Sequence, residues 1–206
     1  KKKVLIFDVD GVLIDSKKNM ELSWKHVQEV HHLKNKKFKE YFRNIGRPFY
    51  DILKIMKINK NFEKIKISYQ KESLKQKKQI KYFKNVKNIL KKLKSKNFIL
   101  TILTSKDIKR TKNFLKNQIK YFSLIECNND SIKGKPHPDQ ILKIISKLKV
   151  SQSDCVYIGD TNIDYLTAKN SKIDFIFAEW GYGKNHNYKY KCKTINDLIK
   201  YIKVKF

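Results

Sequence analysis

The stretch Val4-Leu5-Ile6-Phe7-Asp8-Val9-Asp10-Gly11-Val12-Leu13 runs an apolar strand straight into two carboxylates two residues apart. Strand residues two apart face the same side, so both acids emerge together, and Gly11 lets the chain turn away without steric penalty. An Asx turn closing a strand accounts for one aspartate and leaves the second unexplained. The lysines before this stretch imitate a signal peptide for a few residues, but Asp8 and Asp10 interrupt the apolar run well short of an h-region. It reads as a strand.

Further short apolar runs at Phe98–Thr104, Phe122–Cys127, Cys155–Gly159 and Asp174–Ala178 read, with Val4–Val9, as five buried parallel strands. Helical spacing lies between them, at Val86, Ile89, Leu90 and Leu93, at Ile108, Thr111, Phe114 and Leu115, and at Ile141, Ile144, Ile145 and Leu148. This alternation predicts an α/β fold, a Rossmann-like doubly wound parallel sheet. Residues 16–81 break it, being long, lysine-rich and helical in pattern, with Trp24, Val27, Phe38, Tyr41, Phe42 and Ile52 among the apolar positions. An insert of this size reads as an α-helical cap domain over the carboxyl end of the first strand, where open α/β sheets bind ligands, leaving 1–15 and 82–206 as the core.

Three more segments end predicted strands or precede helices. Ile99-Leu100-Thr101-Ile102-Leu103-Thr104-Ser105 closes on two hydroxyls, which by themselves suit a turn or an N-cap ahead of the helix near Asp107. In Lys133-Gly134-Lys135-Pro136-His137-Pro138-Asp139 the prolines restrain the loop that carries Lys135. Val156-Tyr157-Ile158-Gly159-Asp160-Thr161-Asn162-Ile163-Asp164 sets Asp160 and Asp164 on one face of a helix start, where capping is the simple explanation. Each alone has a structural reading. All four together fall on one rim of the sheet, which points to a site.

The formal net charge is +29, which ordinarily suggests nucleic acid or an anionic membrane as partner. Only Arg43, Arg47 and Arg110 are arginine, however, and the lysines run through the whole chain rather than forming a stripe. Specific phosphate and base recognition favours the guanidinium fork, so a solvated surface is the simpler explanation and nucleic acid is disfavoured as a partner. Cys127, Cys155 and Cys192 are odd in number and lack C-x-x-C spacing, which fits neither a disulfide framework nor a zinc site and suggests a reducing, cytoplasmic setting. No apolar run approaches the ~20 residues of a membrane span. His31-His32 reads as a half-buried pair rather than a metal site, and Trp180 and Tyr182 as edge packing.

The four segments, in this order, resemble the haloacid dehalogenase superfamily, in its phosphoglycolate phosphatase-like branch with a small helical cap. Ile45-Gly46-Arg47-Pro48 and Trp180-Gly181-Tyr182-Gly183 add softer similarity. The resemblance implies a phosphoric monoester hydrolase acting on a small phosphorylated metabolite: phosphoglycolate-like, a sugar phosphate or a nucleotide. It makes Asp8 the nucleophile that forms an aspartyl-phosphate and Asp10 the acid/base. It also implies Mg2+ held by Asp8, the main-chain carbonyl of Asp10, and Asp160, with Asp164 as an indirect helper. Thr104, Ser105 and Lys135 then bind the phosphoryl group, Ser105 standing where many relatives carry asparagine.

Departures from the pattern narrow the choice. Carboxylate-nucleophile dehalogenases lack the second acid that Asp10 supplies, and sugar-phosphate mutases place a histidine in the cap hinge where this chain has Met20. Mutase activity, or a basic nucleic-acid-binding protein with vestigial motifs, are the alternatives. Ala168 opens what relatives complete as a glycine-terminated helix end, whereas Ser171-Lys172 follows here, so that helix must stop by other means.

Overall fold

The computed structural model describes residues 3–129, 131–184 and 186–205, and their side chains as far as residue 202. The eight strands are β1 (Val4–Phe7), β2 (Ile14–Asp15), β3 (Lys81–Tyr82), β4 (Ile99–Thr104), β5 (Leu124–Cys127), β6 (Cys155–Gly159), β7 (Asp174–Ala178) and β8 (Lys191–Cys192). Six of them form one parallel sheet in the order β5-β4-β1-β6-β7-β8. Four of the five predicted strands keep the end that matters, their carboxyl tips, while the first stops at Phe7 so that Asp8 and Asp10 lie beyond it. β8 has two residues and no apolar run to announce it.

Because successive strand residues face opposite sides, Leu5 and Phe7 enter one layer and Val4 and Ile6 the other. The first layer is covered by α5 (Val86–Ser95), the end of α6 (Ile108–Leu115) and α9 (Asp197–Lys205). The second is covered by α7 (Asp139–Leu148) and α8 (Asn162–Asn170). The predicted apolar faces of α5 and α7 are the buried or partly buried ones. On α6, Thr111, Phe114 and Leu115 are buried, whereas Ile108 is 44% exposed and contributes nothing to the core.

Between β2 and β3 the chain forms α1 (Lys17–Val30), α2 (Phe38–Arg43), α3 (Phe49–Ile55) and α4 (Phe62–Lys75). These helices pack on a core of their own, containing Met20, Trp24, Val27, Tyr41, Ile52, Leu53, Met56, Ile65 and Tyr69. Trp24 is fully buried, stacks on Tyr41 at 4.7 Å and donates its indole N–H to the Lys36 carbonyl at 2.7 Å. β2 and β3 pair antiparallel through Ile14↔Tyr82 and Asp15↔Lys81, tying together the two strands of chain that enter and leave this helical unit.

Five helices end without glycine. His32, Lys57, Asn97, Lys149 and Lys172 take positive φ after α1, α3, α5, α7 and α8. In each case the following N–H bonds back to the carbonyl five residues earlier, at 2.9–3.3 Å, which is the Schellman closure. The helix that begins α8 thus stops at Ser171-Lys172 by placing a lysine in the left-handed position a glycine would fill. A β-carbon there costs about 1–2 kcal/mol. Exposed Lys149, at φ 52 and ψ 46, is the clean test. Lys149→Gly is expected to stabilise the protein by about 0.5–1 kcal/mol, net of the freer unfolded chain, and to raise Tm by ~1–4 °C in thermal denaturation. A lowered Tm would contradict this account of the helix ends.

Candidate active site

The sheet register sets the site. Phe7 lies opposite Ile102 of β4 on one side and Ile158 of β6 on the other. Asp8 lies one residue past this level and Thr104 and Asp160 two, so all three emerge at the carboxyl end of the sheet, and Asp8 N–H donates to the Ile158 carbonyl at 2.9 Å. Asp8, Thr104 and Asp160 meet there, and Lys135 reaches them from the loop before α7. All four are buried.

Lys135 is the hub. Its Nζ donates to Asp8 Oδ1 at 2.9 Å and to Asp164 Oδ1 at 2.8 Å, with the ring of Tyr157 5.3 Å away. Burial works against its charge, but the carboxylates of Asp164 and Asp8 outweigh this and hold the ammonium above its ordinary range. Asp164 also accepts from the Tyr157 hydroxyl at 2.8 Å and from Thr161 N–H and Oγ1, at 3.0 and 2.7 Å. Despite burial, these donors, led by Lys135, keep its carboxyl below the usual carboxylate range. Capping and site construction are thus one act at Asp164, since one oxygen closes the start of α8 and the other grips Lys135.

Asp8 and Asp160 are less well compensated. Burial, together with Asp164 and Asp10 and against Lys135, pushes Asp8 up to about 7. Asp160 is raised well above the carboxylate range, by burial first and then by Asp164 and Asp8. Its Oδ2 accepts from Tyr182 N–H at 2.7 Å, while Oδ1 is buried with no hydrogen-bond partner among the described residues. Oxygens of Asp8, Asp160 and Asp164 lie within 4.8 Å of one another, the one such acid, histidine or cysteine group among the described residues. An orphaned carboxylate oxygen within a crowd of acids is what a hard cation relieves, so the donor set fits a divalent ion with oxygen ligands.

Glycine makes this crowding possible. All six glycines of the chain border the site or its seam with the helical unit. At Gly11, φ is +81 and a β-carbon would stand 2.1 Å from Asp160 Oδ2. At Gly183 it would stand 1.7 Å from the Asp160 carbonyl oxygen. The Gly-Tyr-Gly run therefore lies flush on Asp160, which brings Tyr182 N–H to its carboxylate.

Several site residues were not visible in the sequence. Asp10 is gripped by the Ser16 hydroxyl and by buried Lys106, whose Nζ is 3.1 Å from Asp10 Oδ2. Lys106 follows Thr104-Ser105 directly, but one lysine among so many carries no signal. Tyr182, expected as edge packing, accepts through its hydroxyl from Ser16 N–H at 2.6 Å and Lys17 N–H at 3.1 Å and donates to Asp15 at 2.8 Å. It caps α1 in place of Ser16, whose own hydroxyl is spent on Asp10. Trp180 does brace an edge, donating to the Val12 carbonyl at 3.0 Å.

Thr104 and Ser105 are not the N-cap that their position suggested; Asp107 caps α6 by accepting from Arg110 N–H at 2.9 Å. Thr104 Oγ1 accepts from Lys106 N–H at 3.3 Å and keeps its own proton to donate. Ser105 donates to the Gly46 carbonyl at 2.5 Å, so its hydroxyl docks the helical unit onto the sheet. His31, at the C-terminal end of α1, bonds the Ser68 hydroxyl at 2.9 Å and belongs to no metal-ligating cluster among the described residues. The three cysteines are buried, and none forms a disulfide among the described residues.

A cavity of about 60 Å3 lies between the acids and the helical unit, with Asp8, Asp10, Thr104, Ser105, Lys106 and Arg110 in its walls. Such a rim, with a buried lysine–carboxylate cluster at the central strand tip under a helical lid, defines a doubly wound α/β enzyme. A profile of the haloacid dehalogenase-like hydrolases matches residues 5–178, and the chain belongs to that family. A Clostridium perfringens protein provisionally named pyrophosphatase PpaX is 32% identical over 172 residues, covering 82% of this chain and 80% of that one. The phosphoglycolate phosphatase of Aquifex aeolicus is 30% identical over 193 residues, 88% and 87% of the two chains. A Bacteroides fragilis crystal structure, provisionally described as a haloacid dehalogenase-like hydrolase, matches with TM-score 0.88 at 24% identity over 96% of this chain and 100% of that one. The family resemblance carried by the four motifs and the Rossmann-like fold read from the alternation of strands and helices both hold. No helix among the described residues is long and apolar enough to cross a membrane.

The raised Asp160 carboxyl has a consequence for stability. An acid whose folded value exceeds its unfolded one, near 4, costs stability progressively as pH rises through that interval. In EDTA, Asp160→Asn is therefore expected to melt higher than the wild type at pH 8, the difference shrinking toward pH 4, where both are uncharged. Each ~1 kcal/mol of relieved repulsion should appear as ~2–4 °C in scanning calorimetry. A variant that melts lower at pH 8 would show that the carboxylate is compensated after all.

Proposed function

We propose that the enzyme is a magnesium-dependent phosphatase that hydrolyses a small phosphorylated metabolite through an aspartyl-phosphate on Asp8. The observation that carries this reading is the placement of Asp8: at the tip of the central strand, clamped on one oxygen by Lys135, and lining the cavity that also contains Asp10 and Thr104. The names of the relatives, pyrophosphatase and phosphoglycolate phosphatase, support a phosphorus centre as the point of attack.

In this reading a carboxylate oxygen of Asp8 attacks phosphorus and the bond to the leaving oxygen breaks, with Asp10 delivering its proton to the departing alkoxide. Asp10 then takes a proton from a water, whose oxygen attacks the same phosphorus and releases inorganic phosphate and free Asp8. The Ser16 hydroxyl and Lys106 hold Asp10 for the second half, when it must be an anion. Thr104 donates to a phosphoryl oxygen, and Lys135 offsets negative charge on Asp8 and the phosphoryl group. Ser105 orients the lid through Gly46 and gives the phosphoryl group its neighbouring main chain.

Magnesium, when bound, supplies the positive charge that lets a phosphate approach two carboxylates. Asp8, the Asp10 carbonyl and Asp160 would hold it, Asp160 through its unpartnered Oδ1. Asp164, with both oxygens engaged by Lys135, Tyr157 and Thr161, orients that set from behind. Residues 16–81 act as the lid that excludes water and selects the substrate, and the size of the cavity favours a compact one. A cavity of this size suits a compact substrate better than an oligonucleotide terminus.

The purified enzyme is expected to release phosphate steadily from p-nitrophenyl phosphate with magnesium, and to stop when EDTA is added. Asp8→Asn should lower kcat by ~10^4 or more while leaving the melting profile folded. Absence of turnover with every phosphate ester and anhydride tried, or wild-type rates in Asp8→Asn, would overturn the proposal. Conversion of a hexose 1-phosphate to the 6-phosphate without net phosphate release would instead favour the mutase alternative.

A further inference from the structure

The cavity that Asp8 and Asp10 line also has cations in its wall, Lys106, Arg47 and Arg110. Arg110, on α6, is buried at this wall, and its Nε is bound by Asp107, the residue that also caps the helix, so the guanidinium plane is fixed to the sheet domain. The ring of Tyr69, from α4 of the helical unit, lies 5.4 Å from the guanidinium carbon. Packing alone does not explain a cation here, because leucine or methionine would fill the contact between α6 and α4 with far less desolvation. Arg47, half-buried on the Gly46–Pro48 segment, lines the same cavity and makes no side-chain hydrogen bond or ion pair among the described residues.

The chain's composition sharpens this point. Of 48 basic Lys and Arg residues only three are arginine, and all three stand at this seam: Arg47 and Arg110 line the inner cavity, Arg43 and Arg47 the wider opening beside it. Lysine supplies the rest of those 48. Arginine differs by its planar fork, which binds a carboxylate or phosphoryl group by two parallel hydrogen bonds. The acids of the cavity do not cancel this wall, since Asp8 is paired with Lys135 and Asp10 with Lys106. Tyr41 and Tyr69 also line it, and burial keeps both phenols protonated, that of Tyr69 at about 12; Tyr41 donates to the Tyr69 hydroxyl, which also accepts from Arg110 and keeps its own proton to donate.

We propose that Arg110, assisted by Arg47, binds a second anionic group of the substrate, a carboxylate or phosphoryl group lying within a few bonds of the scissile phosphoryl oxygen. This rests on the phosphatase reading above and assigns the substrate class: compact phosphorylated compounds whose leaving group is itself an anion. Arg110 acts as a specificity residue. Its distance from Asp8 is bridged by the leaving group, and the limited cavity volume keeps that bridge short.

The test compares kcat/KM for 2-phosphoglycolate and pyrophosphate with kcat/KM for ethyl phosphate, whose leaving group is neutral and of similar size. The wild type should prefer at least one of the two anionic substrates by ~100-fold, the scale on which an unmet buried charge discriminates. Arg110→Met should reduce that preference by roughly 30-fold or more, chiefly through KM, and Arg110→Lys should fall between because it keeps charge without the fork. Melting curves of each variant verify folding, and should Arg110→Met fail to fold, Arg110→Lys alone decides. Whether phosphoglycolate or pyrophosphate is preferred tells a carboxylate from a phosphoryl partner. Hydrolysis of ethyl phosphate as fast as both anionic substrates, or an equal loss on all three in the variants, overturns the assignment and leaves the phosphatase reading standing. No phosphate release from any of them overturns both.

Discussion

The site depends on one buried ammonium. Lys135 stands between Asp8 and Asp164 with no solvent to share the charge, and Asp160 crowds the same space. Burying three carboxylates beside one lysine is costly, because desolvation of each ion exceeds what a single counter-charge returns. The register of β1 with β4 and β6 makes the arrangement obligatory all the same, since it brings the three strand ends together at the carboxyl end of the sheet. The deficit of positive charge is therefore built into the fold. That deficit is what makes the cluster of Asp8, Asp160 and Asp164 compatible with a divalent cation.

The rest of the chain is arranged to tolerate that crowding. Glycine is spent where Asp160 and Asp164 press on the backbone and where the helical unit meets the sheet, while helix ends that glycine usually serves are closed by lysine, asparagine and histidine. Each of those ends gives up a little stability. Arginine is distributed by the same logic, with lysine carrying the general surface charge and the guanidinium fork appearing at the seam above the acids. A composition dominated by lysine, asparagine and isoleucine thus shows its exceptions at the site.

The helical unit is joined to the sheet by contacts that begin at the acid cluster and the cavity. Ser16, the residue before α1, bonds Asp10, and Tyr182 caps α1 while its own N–H holds Asp160. Ser105 bonds Gly46, and Arg110 faces Tyr69. Movement of the unit about the β2–β3 pair would therefore disturb Asp10, Asp160 and the cavity wall together. Contacts wired in this way couple the position of the helical unit to the orientation of the acids beneath it.

What the sequence determined by itself was the sheet, its strand tips and the residues that ride on them. Alternating apolar runs and the pairs Asp8/Asp10 and Asp160/Asp164 are local patterns, and a strand carries its terminal residues wherever the sheet goes. The helical nature of residues 17–75 was legible for the same reason, from spacing along one segment. Only the tertiary structure decided the partners: Ser16 and Lys106 on Asp10, Tyr182 on the start of α1, Asp107 rather than Ser105 as the cap of α6, and Arg110 at the cavity. Those contacts join segments distant in sequence or hide among 48 basic residues, so neither periodicity nor spacing marks them. The physical reason is that backbone propensity is written residue by residue, whereas the compensation of a buried charge depends on which chains the sheet brings face to face.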